Sequence, residues 1–128
     1  MKIKKVTNQR VRSVYNWNET FKLDKRFLIL KIKSKGELIA NLAIEKNWIW
    51  YFSVNPKYRK MGYGKLILSK AEELIAKDFK EVKLTPKDND SDLRKYYTNL
   101  GYSGYTGNEP EYVAEDKTFW IMTKELGG

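Results

Sequence analysis

The apolar positions of the chain change period several times. Over 26–33, 37–44 and 48–54, aliphatic, β-branched and aromatic residues run in short blocks, separated by Lys35-Gly36 and by Glu45-Lys46-Asn47. Short blocks bounded by turn residues read as strands, and these three read as an antiparallel meander. From Tyr63 the spacing lengthens to 63, 67, 71, 74 and 75, one face of an amphipathic helix predicted over 63–78. Residues 81–85 alternate as a half-buried strand. Residues 86–90 are a turn, Asp90 suits the cap of a helix running to Asn99, and Gly101 stops that helix. Strands are expected over 102–106 and 118–123, joined by a polar loop through Gly107-Asn108-Glu109-Pro110, and a short first strand over 3–6. Residues 7–20 fit two periods. Thr7 followed by Val11, Val14 and Tyr15 makes a capped helical face, while Val11, Ser13, Tyr15 and Trp17 alternate as a strand; a helix is expected here. The order of strands, helix, strand, helix, strands predicts an α/β (α+β) fold: a mixed, mostly antiparallel twisted sheet of six to seven strands flanked by helices. No repeat, linker or low-complexity tract divides it, so 1–128 is expected to be a single domain.

One junction in this pattern carries chemistry. Phe52-Ser53-Val54-Asn55-Pro56-Lys57-Tyr58-Arg59-Lys60-Met61-Gly62-Tyr63-Gly64-Lys65 is a strand end, a turn at proline, a basic loop, two glycines and a helix start. The first N–H groups of a helix have no intrahelical partner. Without side chains at Gly62 and Gly64 an anion can approach them closely. Arg59, Lys60 and Lys65 add positive charge, so the stretch predicts a phosphate-binding turn. It lacks the Gly-Lys-Ser/Thr of a P-loop, because Leu66 follows Gly64-Lys65, and the third glycine of a dinucleotide fingerprint. Arg-x-x-Gly-x-Gly is weak alone; a solvated glycine turn explains it as simply, and the flanking strand and helix argue against that plainer reading.

Val54-Asn55-Pro56-x-x-Arg59-x-x-Gly62-x-Gly64 resembles the acetyl-CoA-binding motif of the GNAT superfamily of N-acetyltransferases. Tyr97-Thr98-Asn99-Leu100-Gly101-Tyr102 is similar to the Tyr-x-x-x-Gly-Phe that ends the last helix in that family, and Met122-Thr123-Lys124-Glu125-Leu126 to its Met-x-Lys-x-Leu ending. The match in order of elements covers 27–126. It departs at Asp90 beside Asn89, where the family often has Asn, and in a short N-terminal region, which usually shapes the acceptor pocket. The resemblance implies acetyl-CoA as co-substrate. Arg59, Lys60, Met61, Gly62, Tyr63, Gly64 and Lys65 would hold its phosphates, and the backbone of Phe52 to Val54 would polarise the thioester carbonyl. The side chains of Phe52 and Val54 are expected to pack in the core. Tyr97 would be the general acid for the departing thiolate, with Tyr96 beside it as a competing phenol. A core-filling tyrosine is the plainer reading of either. The acceptor would be a primary amine on a protein N-terminus, a lysine or a small molecule. A family glutamate often stands where this chain has Trp48. Glu45 is expected to be a solvated turn residue, so a water chain or another carboxylate such as Glu37 would deprotonate the acceptor. Trp17, Trp48, Trp50, Tyr15 and Tyr51 would line an acceptor site or, more simply, form core.

Composition narrows these choices. Without cysteine there is no acyl-cysteine enzyme or thiolate metal site, and without histidine no imidazole base or His-ligated metal. No metal site is expected, and direct attack in a ternary complex is favoured. The N-terminus has charge but no apolar h-region, and no apolar run is long enough to span a bilayer, so a cytoplasmic location without membrane association is expected. The net charge is +9, and the whole excess lies in 1–35, which hold eleven Lys/Arg against Glu19 and Asp24. A basic N-terminal face suits nucleic acid or another acidic macromolecule, and a CoA-binding module without turnover is the alternative reading. Twenty of the 25 cations are lysine, which fits a solvated surface better than Arg-led phosphate recognition.

Overall fold

The three apolar blocks fold as the expected meander in a computed structural model that describes residues 2–6, 12–15, 20–86, 91–108 and 118–127. Strands β1 (Lys2–Val6), β2 (Arg12–Tyr15) and β3 (Thr20–Leu23) come first. The meander is β4 (Leu28–Ser34), β5 (Glu37–Glu45) and β6 (Trp48–Val54). Helix α1 (Tyr63–Ile75), β7 (Glu81–Leu84), α2 (Ser91–Asn99), β8 (Ser103–Asn108) and β9 (Thr118–Glu125) complete the chain. Lys35 and Gly36, both at positive φ (52° and 79°), make the tight β4–β5 turn, the backbone that matches strand twist in a two-residue hairpin.

Seven strands form one sheet in the order β1-β4-β5-β6-β7-β9-β8. Every neighbour pair is antiparallel except β6 and β7, which α1 connects as a crossover. The even positions of β4 and β5 (Leu30, Ile32, Ala40, Leu42, Ile44) meet Ile67, Leu68, Ala71 and Ile75 of α1 in the main core. This is why helix residues spaced by three and four are apolar. The opposite face carries Ile29, Ala43 and Trp50, covered by Val14, Phe21 and Leu23.

That cover is a correction to the expected N-terminal helix. Arg12–Tyr15 is a strand, paired antiparallel with Thr20–Leu23 in a separate two-stranded sheet. The alternating reading wins because the hairpin lays one side on an apolar sheet face. Asn41, fully buried, accepts from Tyr15 N–H (2.7 Å) and donates to Tyr15 C=O (2.6 Å), ending β2 on the sheet. Trp17, the polar loop from 109 and the proposed cap at Asp90 lie outside the described residues. Helix α1 closes at Ile75, three residues before its predicted end, in a turn over 76–78.

Candidate functional site

The site begins where β6 leaves the regular ladder. Ala43 opposes Trp50 but Asn41 opposes Ser53, so Tyr51 and Phe52 stand against the single residue Leu42. This is a β-bulge, and Tyr51 carries its strain at φ 55°. Side chains re-sort across it. Trp48, Trp50 and Ser53 lie on the hairpin face, and Phe52 and Val54 on the α1 face. On its other side β6 pairs with β7 only at Trp48↔Lys83 and Ile49↔Leu84. Beyond Ile49 the two strands have no ladder between them. Asn55 N–H donates to Ile39 C=O (2.7 Å) and Val54 opposes Ala40. Successive amides point to opposite edges of a strand, so the Val54 amide points away from β5, toward the gap.

A buried asparagine fastens the turn that follows. Asn55 donates to Leu38 C=O (3.1 Å) and accepts from Lys57 N–H (3.0 Å), capping the short 3-10 turn Pro56–Tyr58. Tyr58 O–H and Lys57 Nζ both donate to Glu37, at 2.6 and 3.1 Å. Those bonds hold the Glu37 carboxyl below the ordinary carboxylate range, Tyr58 contributing most. Glu37 is thus a fastening for the turn. With a bond to each oxygen it is a poor base, which argues against the acceptor-deprotonation role considered for it.

Arg59, Lys60, Met61 and Gly62 form an exposed loop. Arg59 Nε donates to Val54 C=O (3.3 Å), tying the loop back to the strand end. Lys60 (φ 63°) and Gly62 (φ 88°) adopt left-handed backbone, and Gly62 is the N-cap of α1 without any side-chain cap. The first intrahelical bond runs from Leu66 N–H to Gly62 C=O, leaving the amides before Leu66 without intrahelical partners. No acidic residue stands in the first turn. Lys60 and Lys65 make no ion pair among the described residues. Tyr63 stacks edge-on against Tyr58 (5.9 Å). The two glycines serve different ends. Around Gly62 nothing among the described residues lies within 4 Å of a Cβ position, so its φ is what calls for glycine. Gly64 is buried, and a Cβ there would meet Tyr96 Oη at 2.7 Å, Phe52 Cζ at 3.2 Å and Val54 Cγ2 at 3.4 Å.

The structure separates the two phenols of α2. Tyr97 is buried, its ring 6.3 Å from Phe52 and 5.8 Å from Tyr102. Burial, then the neighbouring Tyr96, pushes its hydroxyl well above the ordinary phenol range. Tyr96 is 37% exposed and its hydroxyl reaches Gly64 at the foot of α1; burial raises it too. Spacing alone does not separate adjacent tyrosines, and the Gly64 contact is the signal that does. Glu45 is a second correction. It is 5% exposed on β5, opposite Trp48, because the strand runs one residue past its predicted end and points this side chain to the hairpin face. It lies five ladder positions from Ala40, the partner of Val54, about 17 Å at ~3.4 Å per residue. That is too far for direct proton transfer at the gap.

A parallel strand pair whose ladder ends at Ile49, leading to an uncapped, basic helix start, can take an extended ligand with an anionic end. That is the class of site found in acyl transferases that use a CoA thioester. The Acetyltransferase (GNAT) family model matches residues 4–102, and the chain belongs to that family. Solved structures agree on the fold. The ribosomal-protein-S18-alanine N-acetyltransferase from Escherichia coli superposes with a TM-score of 0.65 at 16% identity, covering 99% of this chain and 94% of that one. A GNAT-family acetyltransferase from Staphylococcus aureus Mu50 gives 0.65 at 15% identity, covering 79% and 69%. An IAA acetyltransferase from Bacillus cereus ATCC 14579 gives 0.63 at 14% identity, covering 79% of each. No curated protein sequence matches the chain. Among the described residues no helix is long and apolar enough to cross a membrane.

Proposed function

We propose that this acetyltransferase moves an acetyl group from acetyl-CoA to a primary amine on a protein, by direct attack in a ternary complex. The observation that carries the reading is the gap between β6 and β7 beyond Ile49, opening at an α1 start that no side chain caps. Pantetheine lies in the gap, and the pyrophosphate meets the amides from Gly62 to Lys65. Arg59, Lys60 and Lys65 add charge, and Met61 and Tyr63 flank the loop. The outward amides between Phe52 and Val54 polarise the thioester carbonyl. The amine nitrogen bonds to the carbonyl carbon, the C–S bond breaks, and the thiolate takes a proton. The proton lost by the amine leaves through water, since Glu37 is engaged and Glu45 is distant. The Escherichia coli structure that spans nearly the whole chain acts on a ribosomal protein by its name, which supports a protein acceptor.

Tyr97 is the proton donor by its position four residues before Gly101. One observation favours Tyr96 instead: its hydroxyl is the atom nearest a Cβ position at Gly64, ahead of Phe52 and Val54. A less deeply buried phenol is also the stronger acid of the two. Calorimetric titration with acetyl-CoA, for wild type and Gly62→Glu, tests the donor site. Micromolar binding weakened more than tenfold by the variant is expected, and no binding to the wild type sinks the reading. Turnover of Tyr96→Phe and Tyr97→Phe at unchanged acetyl-CoA affinity then assigns the acid.

A further inference from the structure

Helix α1 turns one of its two carboxylates inward: the Glu72 side chain is 15% exposed, against 64% for Glu73. Glu72 accepts from Tyr102 O–H at 2.7 Å on one oxygen and from Lys124 Nζ at 3.1 Å on the other. Lys124 also lies over the Tyr102 ring, 5.7 Å from its centre. Three separate parts of the chain therefore meet at Glu72: helix α1, the residue by which the chain leaves α2, and β9. Taking a carboxylate out of water is costly, and a well-packed apolar side chain of similar volume often holds such a junction as well or better. What the carboxylate adds is direction, because a hydrogen bond fixes angle and distance where apolar contact does not. Burial, and then the bond to Glu72, push the Tyr102 hydroxyl far above the ordinary phenol range, so it stays a donor.

Tyr102 is tied in turn to α2. Its N–H donates to Tyr97 C=O (3.1 Å), as does that of Leu100 (3.0 Å), and its ring lies 5.8 Å from that of Tyr97. The Tyr97 ring meets that of Tyr96 at 5.4 Å, and the Tyr96 hydroxyl is the atom nearest a Cβ position at Gly64. From Gly64 to Glu72 along α1 is about 12 Å, at 1.5 Å per residue. The segment from Tyr96 to Tyr102 thus meets α1 at two polar points, one at each end of that span. We infer that Glu72 is a positioning residue for the phenols of α2: through Tyr102 it sets where α2 sits along α1, and so where the Tyr96 hydroxyl stands at Gly64. The inference rests on the proposed function for its catalytic meaning, since misplacing a reacting group by about 1 Å can cost on the order of a hundredfold in rate. The pattern that Tyr97-Thr98-Asn99-Leu100-Gly101-Tyr102 resembles ends in phenylalanine, so the Tyr102 hydroxyl is a departure that the resemblance does not account for.

The test uses the full chain with 3-fluorotyrosine at position 96, read by fluorine NMR. Beside it, steady-state turnover of the unlabelled variants is measured with acetyl-CoA and a short peptide bearing a free amino terminus. Tyr102→Phe keeps the ring and removes the donor. It is expected to shift or broaden the Tyr96 resonance and to lower kcat about tenfold, with acetyl-CoA affinity by calorimetry within about threefold of wild type. Glu72→Leu packs the junction without an acceptor and should match it. Glu72→Gln, whose remaining oxygen still accepts from Tyr102, should keep kcat within about threefold of wild type. Glu73→Gln, the same charge change at an exposed position, should change it less than about twofold. Circular dichroism first checks folding; should Glu72→Leu not fold, Tyr102→Phe and Glu72→Gln carry the comparison. An unmoved Tyr96 resonance in Tyr102→Phe overturns the inference whatever the turnover. So does a moved resonance with kcat unchanged from an active wild type, or an equal loss from Glu73→Gln. A wild type without turnover, whose Tyr96 resonance still moves in Tyr102→Phe, upholds the placement of α2 by Glu72 and counts against the proposed reaction instead.

Discussion

The turn after β6 and the N-terminal hairpin are each fastened to β5 or its neighbour strand by a buried asparagine, and they differ in nearly everything else. Asn55 bonds Leu38 C=O and Lys57 N–H on one side; Asn41 bonds both backbone groups of Tyr15 on the other. Beyond that clamp the hairpin is held by packed side chains, with Phe21 tilted against Tyr51 (4.7 Å) and Trp48 stacked on Trp50 (5.2 Å). The turn is held by hydrogen bonds, Tyr58 and Lys57 donating to Glu37 and Arg59 to Val54 C=O, and presents mainly amides and exposed cations. Truncation of a side chain should therefore cost the hairpin region stability, whereas damage at the turn should cost donor binding.

The sharpest break is Trp50→Ala. Trp50 is 8% exposed at the centre of the hairpin-side cluster, and truncating a buried tryptophan costs about 3–5 kcal/mol. Urea unfolding should show that loss, while acetyl-CoA affinity of the folded fraction stays within about threefold, near 0.7 kcal/mol. Asn55→Ala should do the reverse in proportion. It leaves Leu38 C=O and Lys57 N–H without their partner, a loss of about 2 kcal/mol, and calorimetry should find acetyl-CoA binding weakened beyond what the folded fraction explains. Trp50→Phe separates shape from polarity. Trp50 Nε1 is buried without a hydrogen-bond partner among the described residues, so phenylalanine removes an unsatisfied donor as it removes volume. Stability should stay within about 1 kcal/mol of wild type.

The smallest effect is set by pH. Folding lowers the Glu37 pKa through Tyr58 and then Lys57, so the ionised form is the one folding favours. Its contribution is present above the ordinary carboxylate pKa and is lost as pH falls through the folded-state value. Thermal midpoints of wild type and Glu37→Gln should differ at neutral pH and converge as pH falls below the ordinary carboxylate range.

The meander, the crossover helix and the glycine turn were legible because each is a local signal: an apolar block, a period, a residue that alone tolerates its φ. The hairpin was not, since Arg12–Tyr15 is too short for alternation to be told from a helical face until the sheet beneath it is known. Glu45 was misread for the same reason. One further residue of strand turns a solvated turn into a buried face. Tyr96 and Tyr97 were both in view, but which hydroxyl reaches Gly64 depends on how α2 sits over α1.

Tyr51 has a further consequence for how such a site can be gained or lost. Remove that one residue and Trp48, Trp50 and Ser53 fall into unbroken alternation with Ile49, Phe52 and Val54. The left-handed backbone angle disappears with it, and β6 is free to run straight beside β7. The bulge at the proposed donor site is therefore encoded as a single inserted residue, a shift of frame in the pleat. A one-codon deletion would leave every surviving side chain on its present face, in a more regular sheet without the bulge at the proposed thioester site.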